Sequence, residues 1–333
     1  MKNTYFLLEE PGRFHLVEEE LAVKPGHLLV RLRRCGVCTG ELMDWYVARK
    51  VPYTPGHEIV GEVIRAPSDS PFNEGDTVFV HHHAPCMECD YCMRGEYTSC
   101  PVWRSSRIYP GGLSRYILVP PEIYNVDTFV VPSDVSLDDA ALIEPLGCSV
   151  KAIRKARITS LDDVAVIGLG FMGLLNAKLA SLYARSVVGF DLLENRRRIC
   201  LDGWGCDEAY HPDEYDASRR FQVVVVGPPF EEAIRFALRI ADRGSRVVLF
   251  APLPPGQHVS FEIFGLYFNE ISIIPSYSAG PDDTRMALRY IQSGRVRPSL
   301  LITHRFPFDR TPEAYRTAHN NPDAIKVMID IEP

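Results

Sequence analysis

The sequence predicts an α/β protein in which a mostly β region precedes a doubly wound parallel sheet. Three observations support this prediction: short alternating apolar segments up to residue 135, an alternation of strands and helices from residue 161, and a glycine-rich turn in the first strand–helix unit of that alternation. The tail from residue 279 contains one helix and a few short elements. It is too short for a core of its own, so we expect it to return to the first domain.

The first 33 residues alternate apolar and polar positions in short pieces separated by Pro11-Gly12 and Pro25-Gly26, which is typical of antiparallel strands joined by turns. Further strands are predicted at 59–64, 77–80 and 114–119. In the second region the predicted strands are 164–167, 186–190, 221–226, 246–250 and 271–274, and the predicted helices are 172–183, 194–201 and 231–241, followed by 283–293 in the tail.

Composition and charge exclude several classes of function. The chain has 333 residues, a net charge of −7 and 46% hydrophobic residues, which is the balance of a globular protein without a basic surface for a nucleic-acid backbone. We therefore expect no nucleic-acid partner. Charged residues interrupt the first 20 positions and no apolar run approaches about 18 residues, so we expect no membrane association and a cytoplasmic location. In that compartment the nine cysteines are expected to be metal ligands or buried thiols rather than disulfides.

A glycine-rich loop at residues 168–173 predicts a dinucleotide site. Gly168, Gly170 and Gly173 have G-x-G-x-x-G spacing, follow an apolar strand and open a helix that starts near Phe171 and Met172. Asp191 ends the next strand, where a carboxylate accepts hydrogen bonds from the ribose hydroxyls and repels a 2′-phosphate. This pattern favours NAD over NADP. Arg196 leaves the choice open, because an arginine near Asp191 would tolerate the extra phosphate.

Four cysteines within 15 residues predict a structural metal site. Cys86, Cys89, Cys92 and Cys100 lie in a polar segment with little apolar surface to bury, so a zinc ion held by four thiolates would order it. An iron–sulfur cluster is the alternative, since Pro101 follows the last cysteine as in ferredoxins, but the interval before Cys100 is long for that class.

Residues 35–62 predict a second, catalytic metal site. This stretch combines Cys38, His57, Glu41 and Glu58 with several glycines, a mixed set of donors that suits zinc.

Taken together, these motifs resemble those of the zinc-dependent medium-chain dehydrogenase/reductase superfamily, in its sorbitol, threonine and polyol dehydrogenase branch. The residues that carry the resemblance span almost the whole chain: C-G-V-C at 35–38, G-H-E at 56–58, G-D-T-V at 75–78, the four cysteines, E-P-L at 144–146, the glycine loop with Asp191, and L-I-T-H at 301–304 with Lys326.

The resemblance implies a GroES-like catalytic domain formed by residues 1–147 and 281–333, and a Rossmann NAD-binding domain formed by residues 148–280. It also implies that Cys38 and His57 bind the catalytic zinc, that Glu58 and Glu144 exchange as ligand and supporting group, and that Glu41 hydrogen-bonds the liganding histidine. A homodimer or homotetramer is expected, with two zinc ions and one NAD per subunit.

The usual proton relay of the superfamily is missing here. Gly40 and Met43 occupy the positions where most relatives carry a hydroxyl residue and a histidine. Thr39, one residue earlier, and His83, three residues before Cys86, are the two candidates to replace it. For the run 81–83 we expect at most one imidazole at the active site and the others in solvent. The cysteines at 35, 148, 200 and 206 are expected to be buried thiols, and Lys326 to be structural or to contact a cofactor phosphate.

The predicted function is the oxidation of a secondary alcohol, such as a polyol, sugar or amino alcohol, by hydride transfer to NAD, which gives a ketone or aldehyde. Three alternatives stay open. They are a threonine dehydrogenase-like oxidation, the use of bound NAD in an epimerase- or lyase-type reaction without net redox change, and a zinc- and nucleotide-binding protein that has lost its chemistry.

Overall fold

The computed structural model describes residues 1–216 and 219–332. The described chain divides into two compact units, one formed by Met1–Gly147 with Ala279–Pro333 and the other by Cys148–Ser278. The first unit is mostly β and the second alternates strands with helices, as the sequence predicts. Among the described residues, no helix combines the length and the apolar character needed to cross a membrane.

In the described residues, fifteen strands form three sheets. They are β1 Lys2–Glu10, β2 Arg13–Glu20, β3 Leu28–Gly36, β4 Glu58–Arg65, β5 Thr77–Val80, β6 Tyr116–Val119, β7 Thr128–Val130, β8 Asp163–Ile167, β9 Ser186–Phe190, β10 Glu208–Tyr210, β11 Phe221–Val226, β12 Ala241–Leu249, β13 Ser272–Pro275, β14 Ile302–Pro307 and β15 Lys326–Asp330.

The described part of the chain also contains twelve α-helices and several short 3-10 turns. They are α1 Asp44–Val47, α2 Asp90–Met93, α3 Pro101–Ser105, α4 Pro121–Asp127, α5 Leu137–Ala141, α6 Ile143–Ala156, α7 Phe171–Ala180, α8 Glu194–Leu201, α9 Glu231–Ile240, α10 Ile263–Phe268, α11 Pro281–Gln292 and α12 Thr311–Asn320.

The first unit is built on a seven-stranded sheet with the order β14-β15-β3-β4-β5-β7, in which β6 also pairs with β3. Its core is a large cluster of buried aliphatic and aromatic side chains from β3, β4, β5 and the tail. Strand β15 lies antiparallel beside β3 and pairs Met328 with Gly36. The C-terminal tail thereby lies next to the predicted catalytic segment.

The second unit is a six-stranded parallel sheet with the order β10-β9-β8-β11-β12-β13. This corresponds to the 3-2-1-4-5-6 order of dinucleotide-binding folds. Its strands are continuous apolar runs such as Val223–Val226, because helices cover both faces of a parallel sheet. Helix α9 packs Ile234, Phe236 and Ile240 against this sheet.

The expectation for two of the cysteines is wrong. Cys200 and Cys206 form a disulfide that closes a turn after α8, whereas the sequence analysis assigned them as buried thiols. The two cysteines are only six residues apart with Gly203 and Gly205 between them, both at positive φ, so the chain can turn back on itself there. Cys148 is half-buried rather than buried, and Cys35 is fully buried as expected.

Candidate metal centre and nucleotide loop

Three of the predicted catalytic residues come together in the first unit. One ligand atom each from Cys38, His57 and Glu58 lies within 4.8 Å of the other two, and we call these residues the first donor set. Zinc bonds of about 2.0–2.3 Å require donors roughly 3.5 Å apart, which small side-chain rotations would supply. A thiolate, an imidazole and a carboxylate are donors that zinc accepts, so the residues fit this metal.

The pairing of β3 with β4 explains why residue 36, two positions before Cys38, is a glycine. Gly36 pairs with Glu58 across β3 and β4, and a Cβ atom added to Gly36 would lie 2.0 Å from the Glu58 carboxylate oxygen. The carboxylate therefore occupies the volume that any larger side chain would need. Residue 36, the glycine of C-G-V-C, must therefore lack a side chain for Glu58 to keep its position.

Glu41 orients the imidazole of His57. Its Oε1 lies 2.9 Å from His57 Nδ1 and accepts a hydrogen bond from the Gly56 N–H at 2.8 Å, while its Oε2 accepts one from the Tyr315 hydroxyl. Burial alone would raise the pKa of Glu41, but His57 and the two other donors hold that pKa below its ordinary value. Since an ionised carboxylate only accepts, Nδ1 carries the proton and Nε2 is left to bind a metal.

Lys326 is a buried cation next to the first donor set. Its ammonium forms an ion pair with Glu58 and donates to the Val37 carbonyl at 2.9 Å, and only 3% of the residue is exposed. Burial raises the pKa of Glu58, as does the nearby Glu144, while Lys326 opposes this shift. The sequence analysis offered a cofactor phosphate as a partner for Lys326, whereas its observed partner is a metal-site carboxylate.

Glu144 belongs to a different cluster. One ligand atom each from His81, His82 and Glu144 lies within 4.8 Å of the other two, and we call these residues the second donor set. The two sets adjoin, because the rings of His57 and His82 lie 4.8 Å apart. The expectation that two of the three consecutive histidines are solvated is wrong, since His81 is fully buried and the other two are half-buried.

The two relay candidates lie outside both sets. His83 Nδ1 lies 2.7 Å from the Ser106 carbonyl, and its ring packs 4.5 Å from that of Trp103. Burial, with the positive charge of Arg107 nearby, lowers the pKa of His83 to about 3. Thr39 is exposed on the 3-10 turn Thr39–Leu42. A Cβ atom at Gly40 would lie 3.6 Å from Cys38 Sγ, so the backbone at Gly40 passes close to this thiol.

The four cysteines of segment 86–100, which we call the cysteine lobe, lie around one point. The Sγ separations are 3.9 Å from Cys86 to Cys92, 3.6 Å from Cys89 to Cys92 and 3.6 Å from Cys100 to Cys86. Four sulfurs at about 2.3 Å from a tetrahedral zinc are about 3.8 Å apart. The lobe thus has the dimensions of a closed zinc site.

The predicted nucleotide loop has the geometry of a phosphate-binding turn. Gly168 has a φ of +82°, which favours glycine, and a Cβ atom on Gly173 would lie 1.8 Å from the Gly168 carbonyl oxygen. Gly170 is the N-cap of α7, so the N–H groups of Phe171 and Met172 lie at the free N-terminus of that helix. These residues fit a dinucleotide pyrophosphate.

Asp191 and Arg196 lie beside this loop. Asp191 accepts hydrogen bonds from the backbone N–H groups of Leu169 and Leu193, at 2.6 and 2.9 Å. Arg196 Nη1 lies 3.9 Å from the Asp191 carboxylate and would lie 3.8 Å from a Cβ atom at Gly170. A carboxylate and a guanidinium thus share the place where the adenosine ribose is expected.

Several supporting residues could not be found from the sequence alone. His81, His82 and Tyr315 carry no motif, and Lys326 was noted without its partner. A weak signal existed in the histidine run itself, since three adjacent imidazoles next to a metal-binding segment are unusual in a chain with ten histidines.

The fold and these two sites define a zinc- and nicotinamide-dependent oxidoreductase. Residues 24–127 match the family model described as the alcohol dehydrogenase GroES-like domain. An erythritol/L-threitol dehydrogenase of Mycolicibacterium smegmatis is 26% identical over 93% of each chain, and a sorbitol dehydrogenase of Halalkalibacterium halodurans is 27% identical over 94% of each. A solved zinc-binding dehydrogenase of Sinorhizobium meliloti, bound to NADP, superposes with a TM-score of 0.88 at 25% identity and 99% coverage of both chains.

Residues 24–127 thus belong to the alcohol dehydrogenase GroES-like domain family, and the matches over the whole chain support the zinc-dependent medium-chain dehydrogenase/reductase superfamily, in its sorbitol and polyol dehydrogenase branch. It is an NAD(P)-dependent alcohol dehydrogenase, and the fold class and enzyme class predicted from the sequence are confirmed.

Proposed function

We propose that this enzyme oxidises a secondary alcohol of a polyol, sugar or amino alcohol, and that it does so with one catalytic and one structural zinc ion and with NAD as the preferred acceptor. The observation that carries the proposal is the first donor set, in which the partly buried Cys38 and His57 converge with the buried Glu58 next to Lys326. Relatives named for polyols, such as the erythritol/L-threitol and sorbitol dehydrogenases, support a hydrophilic substrate.

The residues of the chain divide the work at the catalytic metal. Bound zinc would supply a Lewis acid that lowers the pKa of a substrate alcohol, and a bound nicotinamide would accept the hydride. Cys38 and His57 would hold the metal, and Glu41 keeps the His57 ring in the tautomer that leaves Nε2 free for it. Lys326 pairs with the Glu58 carboxylate and would hold it beside the metal.

Neither candidate for the proton relay is part of the first donor set. His83 and Thr39 remain the predicted candidates, but the contacts of His83 are with Ser106 and Trp103, and Thr39 is exposed. A pKa of about 3 makes His83 a weak base above pH 5. We therefore expect His83→Ala to leave the pH profile of kcat unchanged. A loss of turnover confined to the low-pH side of the profile would instead assign the relay to His83.

NAD is proposed as the preferred acceptor because the carboxylate of Asp191 lies where it would repel a 2′-phosphate. The neighbouring guanidinium of Arg196 and the NADP-bound relative support some use of NADP as well. Replacing Arg196 by Ala should lower kcat/KM for NADP by roughly 10- to 100-fold, the value of a hydrogen bond between charged groups, and leave NAD nearly unaffected. An unchanged ratio of kcat/KM for NADP to kcat/KM for NAD would show that Arg196 does not contact the cofactor.

A homo-oligomer is proposed from the edge of the parallel sheet. Strand β13 ends that sheet, and helix α10 before it exposes four large apolar residues by 66–73%: Ile263, Phe264, Tyr267 and Phe268. Apolar surface of this kind on a soluble domain marks an interface. Light scattering should give a dimer or tetramer for the wild-type chain and a smaller species for Phe264→Asp.

The decisive experiment is a screen of NAD reduction over polyols, aldoses and β-hydroxy amino acids, with and without a chelator. We expect released NADH with at least one polyol and its loss after chelation. Cys38→Ala should abolish the signal, whereas Cys35→Ala, which removes a buried thiol three residues away and outside both donor sets, should retain it. Product formation without NADH release would favour the epimerase- or lyase-type alternative. The absence of any turnover with zinc and NAD bound would favour the protein that has lost its chemistry.

A further inference from the structure

A lysine held over two aromatic rings follows the first donor set along the chain. Helix α1 begins six residues after Cys38 and carries Tyr46, and Lys50 comes shortly after the helix ends. The Lys50 ammonium lies 3.8 Å from the centroid of the Tyr46 ring and 5.8 Å from that of the Tyr53 ring. The negative faces of the two rings attract the ammonium, so they favour one position for it although the residue is exposed.

This ammonium lies near the residues of the first donor set. Burial and the neighbouring imidazoles lower the pKa of His82, and the positive charge of Lys50 lowers it further. The ring of His82 lies 4.8 Å from that of His57. Burial raises the pKa of Tyr53, the second ring beside Lys50, and the charges of His57 and Cys38 also act on it. Lys50 therefore stands beside the place where the alcohol is proposed to bind.

A second cation stands at the end of a row of imidazole rings that begins with His57. The ring of His82 lies 4.1 Å from that of His83, and His83 Nδ1 lies 3.0 Å from Nη1 of Arg107. The same Nη1 donates to the Ser106 carbonyl at 2.7 Å. Among the described residues, the hydrogen bonds of this guanidinium use Nη1 alone, so the N–H groups of Nε and Nη2 are left for a ligand.

The environment of Arg107 differs from that of the arginines which stabilise the surface. Arg31 and Arg185 pair with carboxylates, at 2.8 and 2.6 Å. Arg107 instead contacts a carbonyl and an imidazole that is neutral at ordinary pH, because burial with nearby positive charge lowers the pKa of His83 to about 3. Two cations beside a metal-binding region would attract a negatively charged group from solution.

We propose that Lys50 and Arg107 bind an anionic group of the substrate, so that the alcohol oxidised is a polyol or sugar derivative which carries a carboxylate or a phosphate. The hydroxyl to be oxidised would lie at the first donor set, and the anionic group would lie several atoms away along the chain of the substrate. The Nε and Nη2 groups of Arg107 form the fork that binds either anion through two hydrogen bonds, while Lys50 supplies a compact positive charge. This inference rests on the proposed function in placing the alcohol at the first donor set.

A substrate series of one chain length tests the substrate class. A neutral polyol, the matching aldonate and the matching polyol phosphate are compared by kcat/KM with NAD. We expect one of the two anions to exceed the neutral polyol by roughly 10- to 100-fold, the value of a hydrogen bond between charged groups, and the better one identifies the anionic group. Lys50→Met and Arg107→Gln should each lower kcat/KM for that anion by a similar factor through KM, and leave the neutral polyol nearly unaffected.

Arg49→Met is the matched control, because it removes the same charge from the exposed residue next to Lys50. This variant should keep the preference for the anion, since Tyr46 and Tyr53 hold Lys50 and not its neighbour. Equal losses in Lys50→Met and Arg49→Met would assign the effect to overall charge and overturn the proposal. A neutral polyol that is the best of the three substrates would overturn it as well.

Alkylation of Cys38 separates this inference from the proposed function, because it needs no turnover. The thiolate attacks the carbon that carries iodine, an S–C bond forms and iodide leaves. Iodoacetate is an anion and iodoacetamide is neutral, so the ratio of their rate constants at Cys38, followed by peptide mass mapping of the zinc-loaded protein, reports the attraction of an anion. This ratio should fall about 10-fold in Lys50→Met and stay unchanged in Arg49→Met.

The two measurements together assign any failure. If no alcohol is oxidised and the alkylation ratio still falls in Lys50→Met alone, the anion site is supported and the proposed function is wrong. If a neutral polyol is oxidised and the ratio is the same in the wild type and Lys50→Met, the anion site is wrong and the proposed function is supported.

Discussion

The first donor set and the cysteine lobe are both candidate zinc sites in the same unit, and they are built in opposite ways. The lobe takes four identical ligands from 15 consecutive residues, and its sulfurs lie 3.6–3.9 Å apart. The first donor set takes three different ligands from the chain just after β3 and at the start of β4. Two of them are held by a further residue: Glu58 by Lys326, and His57 by Glu41, which Tyr315 holds in turn.

This difference shows what holds the ligands of each site in place. The lobe has a small apolar cluster around Trp103 and Tyr97, so the metal itself must order the segment. The first donor set lies in a sheet with a large core, and its donors stay in place through buried ion pairs and hydrogen bonds. Four thiolates leave no open position, while three mixed ligands do.

The largest expected effect comes from exchanging one ligand in each site. Cys38→Ser should lower kcat by about 1,000-fold, the equivalent of several kcal/mol of Lewis-acid stabilisation, and leave zinc in the lobe. Cys92→Ser should remove the lobe zinc and increase cleavage of residues 86–100 by protease, with the first donor set still metal-bound. Elemental analysis with steady-state kinetics measures both. If either variant lost both metals, the two sites would not be independent.

The next effect concerns the buried ion pair. Lys326→Met leaves the Glu58 carboxylate buried without its cation, which should lower the free energy of unfolding of the metal-free protein by about 3–5 kcal/mol. Urea unfolding after removal of metal measures this loss. The double variant Lys326→Met/Glu58→Gln should recover most of it, because no buried charge is then unpaired. Equal losses in the single and double variants would show that packing, not charge, is responsible.

A smaller effect is expected from removing the Tyr315 hydroxyl, which donates a hydrogen bond to Glu41. Tyr315→Phe removes a buried donor and should cost about 1–3 kcal/mol of unfolding free energy and weaken the metal affinity of the first donor set. Tyr53→Phe is the control, because the Tyr53 hydroxyl is buried without a hydrogen-bond partner among the described residues. That variant should be neutral or stabilising. Similar losses in both would contradict a specific role for Tyr315.

The smallest effect concerns the disulfide in the second unit. Thiol titration in denaturant should find seven reactive cysteines per metal-free chain before reduction and nine after it. Reduction of the six-residue Cys200–Cys206 loop should cost at most about 2 kcal/mol of stability, since short loops restrict the unfolded chain little. Nine reactive thiols before reduction would support the original expectation of reduced cysteines.

The sequence predicted those features that depend on neighbours in the chain. Strands β8, β9 and β11 and helix α8 lie within one residue of their predicted bounds, because apolar runs between turn residues are local signals. The cysteine lobe and the glycine loop were found for the same reason. Strand β10, with three half-buried residues at the sheet edge, has no such pattern and was missed.

The features that were missed depend on long-range pairing or on side-chain direction. Lys326 reaches Glu58 because β15 pairs with β3, and no local pattern gives the register of strands almost 300 residues apart. In the histidine run, strand β5 ends at Val80, so the alternation that would have assigned each imidazole to a face stops there. Three identical residues then gave no basis for choosing His82 over His83.

The contact between Gly36 and Glu58 makes the catalytic site adjustable by a single methyl group. A Cβ atom at residue 36 would take the volume that a carboxylate oxygen now fills, so Gly36→Ala should displace Glu58 while every metal-binding side chain stays chemically intact. Such a variant would change the position of one ligand and keep all the ligands, so it would measure the effect of geometry alone. Residue 36 supplies no metal ligand itself and would act on the site only through the volume that it leaves for Glu58.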